Sequence, residues 1–223
     1  FVDWQTGART DLAPLGAWCR ERGIPFVVDG IQGVGALRLD VEQSQVDVLA
    51  VGGHKWMLSL EGVGGLYVSR RVQDRIQSVL HGWKSVTDCD TYLPYHFDPR
   101  PDAGKFEPGS SPWLGIHVLG AALDLLLEVG AERIEARILS LTDRLAAGLR
   151  ARGAEIVSPW GEGQRSGILN FRLGPDPEGL KNALLARGFF LRMRAGGVRV
   201  APHFYNSEDE IDRFLAALDE LRR

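Results

Sequence analysis

The 223-residue sequence predicts an α/β fold in two parts: a sheet-centred domain over residues 1–115, and a linking helix with a smaller α+β domain over 116–223. Three observations carry this expectation. Short apolar runs end in glycine or aspartate, as in Val27-Val28-Asp29-Gly30 and Val46 to Val51, a pattern suited to strands buried in a parallel sheet. Two long helical periodicities meet at Gly130. Beyond them, short strand-like runs alternate with helices to the end of the chain.

In order, Phe1-Val2-Asp3-Trp4 alternates as a strand already under way, and Gln5 to Thr10 reads as a turn. Because the sequence opens in mid-strand, further strands are expected upstream of it. Asp11 can cap a helix carrying Leu12, Leu15, Trp18 and Cys19, which ends near Gly23. Strands are expected at Ile24 to Val28, Val46 to Val51 and Gly64 to Val68; the short interval before the last implies that at least one strand pairs differently from its neighbours. A helix is expected from Arg71, then a long functional loop over Asp88 to Pro112, rich in proline, aspartate and aromatic residues. Helices follow at Ile116 to Val129 and Ala131 to Arg150, the second presenting Ile134, Ile138, Leu141, Leu145 and Leu149 on one face. Strands near Ile156, at Gly167 to Leu173, and near Phe189 and Val198 surround a helix at Pro177 to Arg187. A last helix opens with the capping-box spacing Ser207-Glu208-Asp209-Glu210.

Composition excludes several functions. Twenty-six basic and 29 acidic residues leave a net charge of -3, so no positive field favours nucleic acid or an anionic membrane. No apolar run approaches the roughly 20 residues of a membrane helix. Cys19 and Cys89 form neither a disulfide framework nor a metal signature, which points to a reducing cytoplasm and to no metal.

The chemistry-bearing residues follow strands. A carboxylate at Asp29, directly after an apolar strand, is costly without a partner, although a lone aspartate there is more often a turn or cap residue. His54-Lys55 follows the next strand and two glycines, Gly52 and Gly53, which allow a bulky ligand close to the backbone. A lysine in apolar surroundings can lose its proton and attack an aldehyde, whereas an isolated His-Lys pair is commonly just surface.

Together the segments V-V-D-G-I-Q-G-V-G (Val27 to Gly35) and G-G-H-K-W-M (Gly52 to Met57) resemble the two cofactor signatures of class V aminotransferases, which are fold-type I pyridoxal-phosphate enzymes related to isopenicillin N epimerase-like proteins, kynureninases and cysteine desulfurases. Phe106-Glu107-Pro108-Gly109-Ser110 and Val198 to Asn206 resemble two later motifs of the same family, so the likeness spans nearly the whole chain. The resemblance implies the C-terminal portion of the large cofactor domain followed by the small domain, with the family's phosphate loop and ring-stacking residue upstream of Phe1. It further implies that Lys55 binds pyridoxal 5'-phosphate as a Schiff base and carries the substrate proton. Asp29 would keep the pyridine nitrogen protonated, Gln32 would bond the ring's phenolic oxygen, and His54 would lie near the phosphate. Ser110 would reach the phosphate of a neighbouring subunit, implying a homodimer with shared sites. Arg199 would bind the α-carboxylate of an amino acid or keto acid, a task its planar fork suits.

Two positions depart from the pattern: Gly52 stands where many relatives have a hydroxyl residue, and Trp4 where many have an asparagine. Leu191 to Val198 contains no cysteine, which disfavours desulfuration, a reaction that needs a thiolate on that loop. The expected function is therefore an aminotransferase. An epimerase or kynureninase-like lyase is the alternative within the family, and a truncated, inactive chain with a binding role is the alternative outside enzymology.

Overall fold

The computed structural model describes residues 1–222; Arg223 lies outside the described residues. The elements in order are α1 (Leu12–Glu21), β1 (Val27–Asp29), β2 (Val48–Gly52), β3 (Gly64–Val68), α2 (Arg70–Gln73), a 3-10 turn (Ala103–Phe106), α3 (Trp113–Val129), α4 (Ala131–Ala151), β4 (Glu155–Ile156), β5 (Leu169–Arg172), α5 (Pro177–Ala186), β6 (Arg192–Arg194), β7 (Gly197–Val200) and α6 (Glu208–Glu220). Packing groups these into two compact units. One, the mixed-sheet unit, comprises Leu12–Gly30 and Asp40–Ala122; the other, the antiparallel-sheet unit, comprises Phe1–Asp11, Ile31–Leu39 and Leu123–Arg223. The linear division at 115/116 follows the order of elements, whereas packing places two early segments, Phe1–Asp11 and Ile31–Leu39, with the C-terminal part.

In the mixed-sheet unit β1 pairs parallel with β2, and β2 antiparallel with β3, so the odd pairing expected for the third strand is present. The sheet is knotted at one end by Asp47. Its carboxylate is completely buried and accepts from the Phe26 amide (2.9 Å), the Ser69 hydroxyl (2.8 Å) and the Arg71 Nε (2.9 Å). Burial pushes this carboxyl up, but the Arg71 guanidinium, the amide and the hydroxyl outweigh it and hold it below the ordinary carboxylate range. Val28 and Leu49 point into the unit, while Val27 is 63% and Leu66 46% exposed. The strand expected to be buried on both faces is thus covered on one face only.

The antiparallel-sheet unit carries strands in the order β4-β5-β7-β6. Its core joins Leu145 and Leu149 of α4, Phe171 of β5, Leu184 of α5, Val198 of β7, and Phe214 and Leu218 of α6. The Phe214 ring meets Phe171 and Phe189 edge-on, at 6.2 and 5.3 Å between centroids. The expected apolar stripe of α4 is buried throughout, and its outer side pairs with α6 through Arg137–Glu208, Arg144–Asp212 and Arg152–Asp219. Gly130, at φ 91°, separates α3 from α4 in a conformation that side-chain-bearing residues rarely adopt. The capping box at Ser207 and Glu210 is present in both halves.

Three local expectations need correction. Phe1 to Trp4 is not a strand: the Asp3 carboxylate accepts from Gln5 N, Thr6 N and Thr6 Oγ1, curling the chain into a turn, and only Val2 keeps a single bridge, to Arg9. The helix expected from Arg71 is only the four residues of α2, after which Lys105 and Pro101 tie the segment through Gln73. The strand expected near Phe189 starts three residues later, because Phe189 turns its ring into the core instead.

Candidate active site

Asp29 and Lys55 are brought to one edge of the mixed sheet by strand polarity. β1 and β2 run parallel with Asp29 in register with Ala50, and the Gly30 amide donates to the Ala50 carbonyl at 2.9 Å. Both strands therefore end on the same side, the side at which open α/β sheets receive ligands. Past Gly52 the chain folds into a closed turn: Gly53 N donates to Val63 O (2.8 Å), Ser59 N to Gly53 O (2.9 Å) and Leu58 N to Lys55 O (3.0 Å). A Cβ at Gly53 would stand 3.0 Å from the Val63 carbonyl oxygen, so this turn accepts only glycine without adjustment. Trp56 and Met57 are buried, whereas Lys55 is half-buried and His54 and Asp29 are exposed. Ser59 Oγ in the same turn is buried without a hydrogen-bond partner.

Ser110 belongs to the same unit but to a different segment. Phe106 closes the 3-10 turn, and Gly109 adopts φ 131° against the Trp83 indole, whose nitrogen would lie 2.5 Å from a Cβ there. Ser110 itself is exposed at φ 52°, in the left-handed region uncommon for serine. The neighbouring surface carries two indoles, with Trp83 42% and Trp113 62% exposed and Lys84 Nζ lying 4.7 Å from the Trp113 ring centroid.

Gln32 and Arg199 lie in the antiparallel-sheet unit, so Asp29, His54 and Lys55 are the predicted residues that one sheet edge gathers. Gln32 sits half-buried in the segment Ile31–Leu39. Arg199 occupies the central strand β7, flanked by Asn170 on β5 and Arg192 on β6, and its guanidinium donates to the Trp4 carbonyl. Burial, then the positive charges of Arg194 and Arg192, lower its pKa. The rest of its motif is an anchor: Asn206 Oδ1 accepts from His203 N at 2.8 Å, and Glu210 accepts from Asn206 Nδ2 at 3.3 Å, tying the exit of β7 to the capping box of α6. Arg192 and Arg194 were not among the expected site residues. Their signal is arginine at alternate positions of a strand, which places both on one face. β6 and β7 are joined by a two-residue turn, Ala195-Gly196, with no thiol; Cys19 lies on α1 and Cys89 in the aromatic-rich loop.

Comparison with known proteins identifies the family and the fold. A family model described as aminotransferase class-V matches residues 2–214. A probable cysteine desulfurase of Pyrococcus abyssi is 28% identical over 96% of this chain and 56% of its own length, and isopenicillin N epimerase of Streptomyces clavuligerus is 30% identical over 97% and 57%. Among solved structures, the cystine C-S lyase C-DES, in complex with its product cysteine persulfide, superposes with a TM-score of 0.88 at 28% identity, covering 96% of this chain and 58% of the lyase; a variant of that lyase carries glycine covalently linked to its PLP cofactor. The chain spans rather more than half the length of these relatives, and its fold is part of the fold-type I architecture.

Proposed function

Because the chain belongs to the class V aminotransferase family, whose cofactor is pyridoxal phosphate, we propose that it acts on an amino acid with that cofactor bound covalently at Lys55. The observation that carries this reading is the common edge of β1 and β2, which delivers an amine and a carboxylate from parallel strands past a glycine in a tight turn. That donor set fits the cofactor: an amine for its aldehyde and a carboxylate for its ring nitrogen. When bound, pyridoxal phosphate supplies an electron sink for charge developing at the substrate Cα.

The chain's own residues do the remainder. Lys55 Nζ moves the proton at Cα, its backbone fixed in the closed turn by the Leu58 amide. Asp29 keeps the ring nitrogen protonated through its negative charge, while Gln32 and His54 orient the ring oxygen and the phosphate. Arg199 grips the substrate carboxylate. Ser110 reaches the phosphate of a second copy in a homodimer, a reading supported by the exposed aromatic surface around it.

Amino-group transfer is the first reading of the reaction, because the β6–β7 turn offers no nucleophilic thiol for desulfuration. A C–S lyase is the second, favoured by the 0.88 TM-score to a protein of that activity.

The test is to add pyridoxal phosphate, reduce with borohydride and map the adduct among the four lysines, Lys55, Lys84, Lys105 and Lys181. Modification at Lys55, lost in Lys55→Ala, is expected; labelling elsewhere, or none, sinks the assignment. One keto acid per site from an amino acid, without release of sulfide or persulfide from cystine, would select transfer over the lyase.

A further inference from the structure

The outer face of the antiparallel sheet gathers three arginines with no counter-charge. Arg192 of β6 stands directly opposite Arg199 of β7, at a cross-strand separation of about 5 Å between Cβ atoms. Arg194 shares the Arg192 face two residues along, a diagonal of about 7–8 Å from Arg199. Two of the three heads converge on one residue: Arg199 donates to the Trp4 carbonyl, and the Arg194 guanidinium lies 5.1 Å from the Trp4 ring centroid. None of the three forms an ion pair among the described residues, whereas eleven other arginines of this chain do. Like charges placed opposite each other destabilise a sheet, so the fold holds this arrangement at a cost.

The cluster is also built rather than loose. Asn170, fully buried beside Arg199, donates to the Arg194 carbonyl at 2.7 Å and to the Gln5 carbonyl at 3.0 Å. Arg172 clamps the turn from outside the cluster, donating to the Ala195 carbonyl at 3.0 Å and the Gly196 carbonyl at 3.1 Å, and its own charge is met by Glu155. The turn holds Ala195 at φ 46° and Gly196 at φ 69°, both left-handed, which keeps Arg192 and Arg199 in register. Two polar atoms inside this frame, Arg194 Nε and Asn170 Oδ1, are buried without a hydrogen-bond partner. A buried guanidinium nitrogen with no acceptor is a donor awaiting one.

We propose that Arg192 and Arg194 form a second anion subsite beside Arg199, so that the substrate is an amino acid or keto acid whose side chain ends in a second anionic group, of the dicarboxylic type. This rests on the reading of Arg199 as the α-carboxylate anchor. Arg199 takes the first carboxylate, and the Arg194 Nε edge, with Arg192 at the solvent side, takes the second. Asn170 and Arg172 act as positioning residues, through the backbone of the turn.

The experiment is a calorimetric titration of the chain with glutarate and with butyrate, which lacks the second carboxylate, at fixed ionic strength. Glutarate is expected to bind roughly tenfold tighter or more, and the preference to shrink as salt is raised. In Arg192→Met/Arg194→Met the glutarate affinity should fall to that of butyrate with the butyrate value unchanged; Arg199→Met should weaken both. Equal affinities in the wild type, a preference that survives the double substitution, or no binding of either anion at millimolar concentration overturns the subsite. Should the double variant lose its near-ultraviolet circular dichroism, Arg192→Gln, an exposed single change, must still reduce the preference. A borohydride adduct at Lys55 without a glutarate preference would defeat this inference alone. A glutarate preference without that adduct would defeat the cofactor assignment and leave the anion subsite standing.

Discussion

The two sheets of this chain use their faces in opposite ways. The antiparallel sheet packs α4, α5 and α6 against its apolar side, around Phe171, Leu149 and Leu218, and turns arginines outward. The mixed sheet buries Val28 and Leu49 but turns apolar Val27 and Leu66 outward, next to the edge that carries Asp29 and Lys55. One unit closes its own core; the other leaves a core-like surface in view. Stability should accordingly be concentrated in the first, and the chemistry of the second rests on a thinner frame held by Asp47.

That contrast can be broken from either side. The largest effect is expected from Phe171→Ala, which removes a fully buried ring touching Phe214 and should cost about 3–5 kcal/mol in urea unfolding; a loss below about 1 kcal/mol would mean that the antiparallel core is not the stability centre.

Next is Asp47→Asn, expected to cost about 3 kcal/mol by removing the charge that pairs with Arg71 and turning one of the two acceptor oxygens into a donor amide, and to speed amide exchange in β1 and β2 more than in β5 and β7. The same carboxylate sets a pH dependence. Its folded pKa lies below the unfolded value of about 3.9, so its stabilisation is fully present above that pH and fades as pH falls through the folded value. Wild type should lose stability there and Asp47→Asn should lose less; parallel acid profiles would count against the Asp47 knot.

The smallest effect is expected at Leu66→Ser on the exposed face, within about 0.5 kcal/mol in this chain. A cost of several kcal/mol would show that this face is covered in solution, and the contrast between the two sheets would then vanish.

The proposed site is read from local patterns. Asp29 and Lys55 each follow an apolar strand, and the glycine at 53 marks a tightly packed turn. The capping box at Ser207 and the stripe of α4 are likewise short-range signals, and both appear as expected. The failures have physical causes of the same kind. The alternation at Phe1 to Trp4 imitates a strand, but the Asp3 carboxylate captures three nearby donors and bends the chain. Phe189 looks like a strand residue and is instead a core aromatic packed on Phe214.

The sequence alone determined the order of helices and strands, the class V likeness, and the identity of the amine, carboxylate and arginine on which the proposed chemistry turns. All of these reside in residue type and in spacing over a few turns or strands. Tertiary structure decided what periodicity does not encode. Parallel pairing of β1 with β2 puts Asp29 and Lys55 at one edge, and Phe1–Asp11 and Ile31–Leu39 pack with the C-terminal unit. The tight β6–β7 turn sets Arg192 against Arg199. The reason is that pairing register and packing partners are set by contacts between residues far apart in the chain, where local propensity has no say.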